Sequence, residues 1–361
     1  MKAAVMRTIG EPLTFEDVSI DEPGPGEVLV QVAAAGVCHS DLIFMDGGYS
    51  LDTPAILGHE SAGIVLAAAE EVTAVSPGDH VVTTLSASCG DCAYCVEGKT
   101  HLCSRKEDTR RKPGGRPRLS KDGEPVHQFL DLSSFAERIL VHESTLVKIP
   151  RSVPLDRAAL LGCGVATGLG AVFNSASVEQ GQSVAIIGCG GVGLAAVQAA
   201  RIVGAEPIIA IDLIDEKLAL ALSLGASHTI NASQADPVSV VREITSGHGV
   251  HHAIEALGTT ATAQSAFDML RRGGTATVVG LIPDQTLQIP TDDLFYERRV
   301  QGSVMGSNQP ARDIPRYVEM YVEGLLNLDD MVTRRIALDQ LNDAFDDMRT
   351  GKAVRSVVEF G

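Results

Sequence analysis

Four of the seven cysteines fall in one short run, where Cys89, Cys92, Cys95 and Cys103 read C-x2-C-x2-C-x7-C. Four thiolates at that spacing suit one tetrahedral zinc, because each short link folds back on the ion. A shell closed by sulfur has no place for a reactant, so this cluster predicts a structural clip. Three other segments offer a different set: Cys38 in GVCHSD, His59 and Glu60 in LGHESAG, and Cys163 in LLGCGVATG. Two thiolates and an imidazole leave the fourth zinc position open for water or an alcohol oxygen, the arrangement of a catalytic site. Spacing alone does not bring these three together. Cys163 lies more than a hundred residues past His59, and a buried inert cysteine accounts for it equally well.

The last cysteine, Cys189, sits inside VAIIGCGGVG, where Gly188, Gly190 and Gly193 are in G-x-G-x-x-G register. A strand-like run precedes this turn and a helix-like run follows it. Glycines there let the backbone approach a pyrophosphate, which then rests on the helix N-terminus. A second strand-like run, PIIAID, ends at Asp212. An acid about 20 residues on from such a turn holds the ribose 2′-hydroxyl. It repels a 2′-phosphate, and the following Leu213 and Ile214 supply no cation. The turn therefore predicts NAD rather than NADP. Cys189 is expected to be a small tolerated side chain beside the cofactor.

The elements that position these residues follow two rhythms. The first 150 residues are punctuated by Pro and Gly, with short Val-rich runs at Glu27–Ala33, Gly63–Ala67 and His80–Thr84. That pattern predicts a β-rich, non-repeating domain. From about Gly181, strand-like runs at Ser183–Ile187, Pro207–Asp212, His251–Ala256 and Thr275–Gly280 alternate with helix-like Val192–Val203, Asp215–Leu224 and Thr260–Arg271. The alternation implies βαβ units and a parallel sheet. Amphipathic stretches at Ile314–Leu325 and Leu338–Thr350 precede a closing AVRSVVEF. This tail is too small for a domain of its own and is expected to return to the N-terminal one.

Composition narrows the function. The net charge of −17 argues against nucleic acid or an anionic membrane surface as a partner. The apolar run from Val184 to Ala200 is broken by Gly188, Gly190, Gly191 and Gly193, so it reads as strand, turn and helix rather than a membrane span. The start, MKAAVMRTIGEP, has no apolar signal region. An odd cysteine count with x2 spacings fits metal binding in a reduced compartment, and a cytoplasmic protein is expected. The segment from Arg105 to Lys121 holds eight Lys or Arg residues, including RRKPGGRPR. With no interleaved aromatics in an acidic chain, it is expected to be a solvated loop. His251 and His252 precede a strand, and neighbouring strand residues face opposite ways, so they are not expected to share a metal.

Taken together, GVCHSD, LGHESAGIV, GDHVV, the four-cysteine clip, SSFAE, GCGVATG, GCGGVG and GKAVRSVV resemble the zinc-dependent medium-chain alcohol dehydrogenases from end to end. The resemblance implies an α/β fold: a split, GroES-like, β-rich catalytic domain plus a Rossmann domain with a doubly wound parallel sheet. The implied boundaries are 1–164 and 308–361 for the two catalytic parts and 165–307 for the NAD-binding domain. It implies NAD and two zinc ions per subunit. Cys38, His59 and Cys163 match the catalytic zinc ligands, and Cys89, Cys92, Cys95 and Cys103 the structural ones. Glu60 matches a carboxylate behind the metal that can act as an alternate ligand. Asp41 matches the acid that orients the histidine, and Ser40 the hydroxyl that takes the alcohol proton. His39 matches a position on the cofactor phosphates, Lys217 one on the adenosine ribose and Arg355 one on the pyrophosphate. Thr167 and Val192 match positions that press on the nicotinamide, in a cofactor site that also includes Gly191.

The resemblance implies reversible conversion of a primary alcohol to its aldehyde by hydride transfer to NAD. Two departures and one likeness bear on the substrate. Ile43 stands where many relatives carry the histidine that ends the proton relay. Leu85 replaces a bulky aromatic of several relatives, which implies a roomier pocket. Phe129 and Leu130 resemble outer pocket residues, and the apolar set suits medium-chain or aryl alcohols. The long Ser104–Pro125 loop and the segment Val300–Met305 resemble the dimer-forming branch, which implies a homodimer paired through that edge strand. Two rival functions and one rival assignment of the zincs remain. One is a formaldehyde dehydrogenase acting on an S-hydroxymethyl thiol adduct, since HQFLDLSSFAE also occurs in that branch. The other is a nonenzymatic NAD-binding sensor. A third reading makes both zincs structural.

Overall fold

The computed structural model describes residues 1–112, 114–351 and 355–361. Pro113 of the basic loop and Lys352–Val354 of the closing GKAVRSVV motif lie outside the described residues. The chain forms two compact units, one of Met1–Cys163 with Gln309–Gly361 and one of Gly164–Asn308.

The first unit is β-rich. Its long strand Glu27–Gly36 pairs antiparallel with Ser61–Ala68, with Arg138–His142 and with the closing strand Ser356–Glu359. The tail thus returns to the N-terminal sheet, with Val357 opposite Gly36. From Val28 to Ala34 the strand alternates buried and half-buried side chains, and Val28, Val30 and Val32 all turn into one core with Val65, Val81 and Val141. That alternation is the mark of a sheet with one covered face. The two amphipathic stretches of the tail become helices Pro310–Val322 and Leu341–Arg349.

The second unit carries six parallel strands. Counted in chain order within this sheet, they lie third, second, first, fourth, fifth, sixth. This is the doubly wound order of a dinucleotide-binding fold, with its switch between the first and fourth strands. Val184–Ile187 and Ile208–Asp212 are buried throughout, as strands covered on both faces must be. The helix Gly191–Val203 is Ala-rich, free of proline and stopped by Gly204 at φ +75°. Helix Asp215–Leu224 spans the residues expected of it and begins with two acids that suit its N-terminus. Helix Thr260–Asp268 ends earlier than its pattern implies, because Leu270 already opens the strand Leu270–Val278.

Among the described residues no single helix is long and apolar enough to cross a membrane.

Candidate functional site: two metal centres and a glycine turn

The short helix His39–Met45 places the first ligand. Cys38 is its N-cap residue, in extended backbone. Ser40 therefore lies inside the first turn and does not cap the helix. Asp41, fully buried, joins the two nearest ligand segments. Its Oδ2 accepts from the Cys38 amide at 3.2 Å, and its Oδ1 accepts from the Gly58 amide at 3.0 Å and meets His59 Nδ1 at 2.9 Å. With Nδ1 so held, His59 presents Nε2, which is buried and has no hydrogen-bond partner. A buried nitrogen left bare is costly unless something occupies it.

Cys163 joins from a distant segment. It follows the tight turn Ala159–Gly162, and a Cβ at Gly162 would lie 2.6 Å from the Thr83 carbonyl oxygen and 3.3 Å from Glu60 Cα. Only glycine permits that approach. The ligand atoms of Cys38, His59 and Cys163 all lie within 4.8 Å of one another. The hydrogen bond from Cys163, ahead of the charges of His59 and Arg355, holds the Cys38 thiol far below its ordinary range, while Cys163 is raised. Burial opposes charge on His59, but Asp41 and Cys38 overcome it and raise its pKa. This buried set of two sulfurs and a bare imidazole nitrogen has the composition and spacing of a three-ligand zinc site. Ser40 Oγ lies 3.8 Å from Cys38 Sγ, beside the set and half-buried.

Glu60 lies behind this centre, fully buried. Gly36 makes room for it, since a Cβ there would stand 2.5 Å from Glu60 Oε1. Burial raises the Glu60 pKa to about 6 against the pull of Arg355. Arg355, which the resemblance places on the pyrophosphate, donates from Nη2 to Glu60 Oε2 and is only 6% exposed. Two buried opposite charges so close keep one another ionised. No local sequence signal announces this pair, because nearly three hundred residues separate its members.

The four-cysteine clip closes as its spacing implies. Neighbouring sulfurs stand 3.5 Å (Cys92–Cys95), 3.6 Å (Cys89–Cys103), 3.9 Å (Cys92–Cys103) and 4.0 Å (Cys89–Cys95) apart. A tetrahedron of Zn–S bonds of about 2.3 Å has edges of about 3.8 Å, so the cage matches that ion. Backbone amides of Cys89 and Cys92 point at the sulfurs of Cys103 and Cys89, both at 3.4 Å.

In the second unit the three turn glycines have separate reasons. Gly188 is at φ +96°. A Cβ at Gly193 would lie 1.7 Å from the Gly188 carbonyl oxygen, so only glycine lets helix and strand pack. A Cβ at Gly190 would meet nothing within 4 Å, leaving open space at the N-cap of helix Gly191–Val203. The free amides of a helix N-terminus beside an open approach fit a pyrophosphate. Asp212 ends its strand with Oδ2 accepting from the Cys189 amide at 2.7 Å and Oδ1 from the Leu213 amide at 2.8 Å. Its carboxylate thus braces the turn it faces, which sequence spacing does not reveal. Cys189 is fully buried, and burial foremost pushes its thiol up to about 12, so it is an inert turn residue. Val192 and Lys217 are half-buried, and Thr167 is buried with its hydroxyl 3.6 Å from Met305 Sδ. His39 is exposed on the first turn of its helix.

Two expectations require correction. Phe129 offers no surface to a pocket: it is 0% exposed, packed 5.7 Å from the His59 ring and 4.8 Å from Phe44 between centroids. Leu85 and Leu130 are half-buried against the same core. The basic loop is not simply solvated. Arg118, 7% exposed, and Arg111 both bond the carboxylate of Glu27, which is 2% exposed, while Arg110 takes Asp131 and Arg116 takes Asp21. His251 and His252 do part, one towards Ser183 and the other towards Gln182.

Known proteins agree with this geometry. The alcohol dehydrogenase GroES-like domain model matches residues 24–151, and the zinc-binding dehydrogenase model matches residues 191–323. The chain is 38% identical over 366 positions to an S-(hydroxymethyl)glutathione dehydrogenase of Escherichia coli O1:K1 / APEC, covering 99% of both. An alcohol dehydrogenase zinc-binding domain protein from Burkholderia ambifaria superposes with TM-score 0.95 at 39% identity, over 100% of this chain and 98% of that one. Benzyl alcohol dehydrogenase from Acinetobacter calcoaceticus superposes with TM-score 0.94 at 36% identity, over 100% and 99%. The chain belongs to the zinc-dependent medium-chain alcohol dehydrogenase family and is an oxidoreductase. The family's zinc and NAD fit the donor sets and the glycine turn described above.

Proposed function

We propose that this enzyme interconverts a primary medium-chain or aryl alcohol and its aldehyde, with NAD as the hydride partner. The carrying observation is the apolar ground beside the metal set. Fully buried Phe129 only backs the His59 ring, and the surface over it comes from half-buried Phe44 and Tyr49, whose ring centroids are 5.2 Å apart. Half-buried Leu85 and Leu130 flank it. Such a wall favours an apolar substrate body and separates near-sized ones poorly.

Zinc held by Cys38, His59 and Cys163 supplies a Lewis acid that lowers the alcohol pKa, and NAD supplies the hydride acceptor. The protein's residues do the rest. Asp41 keeps the His59 proton on Nδ1 and so keeps Nε2 for the metal. The Ser40 hydroxyl takes the alcohol proton at Oγ. Ile43 cannot pass it on, so the proton leaves Ser40 for water or a cofactor hydroxyl. Glu60 is the alternate ligand, and the Arg355 charge sets how readily it leaves its pocket. His39 and Lys217 approach the cofactor phosphates and adenosine ribose, Asp212 its 2′-hydroxyl, and Thr167 and Val192 its nicotinamide. Gly188, Gly190, Gly191 and Gly193 admit the pyrophosphate. Cys89, Cys92, Cys95 and Cys103 hold the structural zinc.

A second reading, oxidation of an S-hydroxymethyl thiol adduct, draws on the full-length likeness to S-(hydroxymethyl)glutathione dehydrogenase. Such a substrate brings carboxylates that call for cations. Arg110, whose partner Asp131 follows Leu130, is engaged on that carboxylate at 2.6 and 3.0 Å, and Arg355 on Glu60. This favours the first reading. NADH formation measured over octanol, benzyl alcohol and S-(hydroxymethyl)glutathione, with NAD and NADP, decides between them. Turnover of the adduct alone defeats the proposal.

We also propose a cytoplasmic homodimer. Free thiols at two metal centres suit a reducing compartment. Strand Arg299–Gly302 ends the Rossmann sheet, and Phe295 beside it is 82% exposed, with Leu294, Tyr296, Val300 and Val304 also outward. An open strand edge next to exposed apolar side chains calls for a partner. Light scattering is expected to give twice the chain mass, and V300D with F295D to give monomer. A wild-type monomer refutes the dimer.

A further inference from the structure

The Rossmann unit has a second concavity that the alcohol reaction does not use. A cleft of about 960 Å³ is lined by Arg242, Arg271, Arg272, Arg298, His248 and His251, with Glu206 its sole acidic lining residue. Ser183, Pro207 and His251 stand at the amino-terminal ends of their strands, as do Arg271 and Arg298. The glycine turn lies at the other end, past Ile187. A four-residue strand separates the two by about 13 Å. The cleft is therefore distinct from the cofactor turn.

The charge here is unusual for this chain. Acids outnumber Lys and Arg by 46 to 29, and the arginines of the 105–118 loop all find carboxylates. In the cleft, Arg242 reaches only the Asp268 carbonyl, at 3.2 Å. Arg271 gives Nη1 to His251 Nε2 at 2.6 Å and Nε to a carbonyl. Arg272 lies over the Tyr296 ring, 4.0 Å from its centroid. Among the described residues none of these three pairs with an acid. Arg298 bonds Asp293 through Nη1, but its buried Nε has no partner. Burial, and then the Arg271 charge, lowers the His251 pKa, and its Nε2 stands 2.6 Å from Arg271 Nη1. The network thus orders the guanidinium groups and leaves their charge unanswered. Planar forked donors converging on a concave surface suit phosphate or carboxylate groups bound two bonds at a time.

We propose that this cleft binds a small polyanion, a molecule with two or more phosphate or carboxylate groups, at the end of the sheet opposite the glycine turn. The acidic remainder of the chain favours a small molecule over a nucleic acid strand.

Calorimetry on the zinc-loaded, full-length protein, with NADH saturating, tests it with tripolyphosphate and with citrate as probes. At least one probe is expected to bind, and R242Q/R271Q to weaken it about tenfold or more. NADH affinity and alcohol turnover in that variant are expected to match wild type, which also reports that it folds. R272Q, at the stacked and exposed position, gives the same reading should the double variant misfold. Whichever probe binds and is lost in the variants names the anion class. Failure of both probes to bind, or binding that survives R242Q/R271Q and R272Q, overturns the proposal. A single-stranded oligonucleotide held more tightly than either probe overturns it as well.

Discussion

Asp41 Oδ1 meets His59 Nδ1 at 2.9 Å, and the other oxygen of the same carboxylate holds the Cys38 amide. One buried acid thus aims two of the three ligands. Removing such a partner weakens metal affinity by about 10–100-fold. Asp41→Ala is expected to lose the catalytic zinc to a chelator at concentrations that leave the clip zinc in place. Zinc counted during chelator titration checks this. Equal retention of both ions in wild type and variant would show that Asp41 does not position the site.

Cys38→Ala removes a thiolate from the reactive set while the glycine turn lies in the other compact unit. Turnover is expected to vanish, zinc to fall by one ion per subunit, and NADH fluorescence binding to persist. Retained activity would sink the zinc mechanism. Loss of NADH binding as well would mean that the substitution reaches the fold.

Asp212 braces the Cys189 amide, and the proposed function gives it a second duty on the ribose. Asp212→Ala is expected to weaken NAD binding about tenfold or more, because a charged hydrogen bond and a turn brace go together. The 2′-phosphate repulsion goes too, so NADP use should rise relative to NAD. The ratio of kcat/KM for the two cofactors reads this out, and an unchanged ratio counts against Asp212 as the selector.

Local patterns carried the elements that place each ligand, and long-range pairing did not show. The helix Asp215–Leu224 and the turn at Gly188 are legible because propensity, acids at the start and glycines at the ends agree. The strand His228–Asn231 escapes notice because it lies at the sheet edge, where only Ile230 is buried and no apolar run marks it. The metal set was readable through its motifs, while its convergence depends on Gly162 passing close to Glu60. The Glu60–Arg355 pair joins two motifs that each look complete alone. Phe129 looked like a pocket residue because an aromatic beside a leucine is ambiguous, and burial decides which one faces outward. The basic loop misled for a simpler reason: its carboxylate partners Asp21, Glu27 and Asp131 lie elsewhere in the chain.

Glu27 is the partner on which that loop most depends, and it yields a pH prediction. Arg118 Nε bonds its Oε1 at 2.6 Å and Arg111 Nη2 its Oε2 at 2.6 Å. Burial pushes the Glu27 pKa up, but the two guanidinium groups and the Gly24 amide overcome it and hold the value below the ordinary 4.5. A carboxylate depressed in the folded state stabilises fully above its unfolded pKa, and that contribution fades as pH falls through the folded value. Wild-type stability should therefore drop below about pH 4.5 more steeply than that of Glu27→Gln. At neutral pH the variant should be the weaker, by about 3 kcal/mol, since Arg118 is left buried without its counter-charge. Urea unfolding followed across pH 3 to 8 measures both effects, and the two curves are expected to converge on the acid side. Parallel curves would mean that Glu27 is ionised alike in folded and unfolded chains, and that the loop is held by something other than this ion pair.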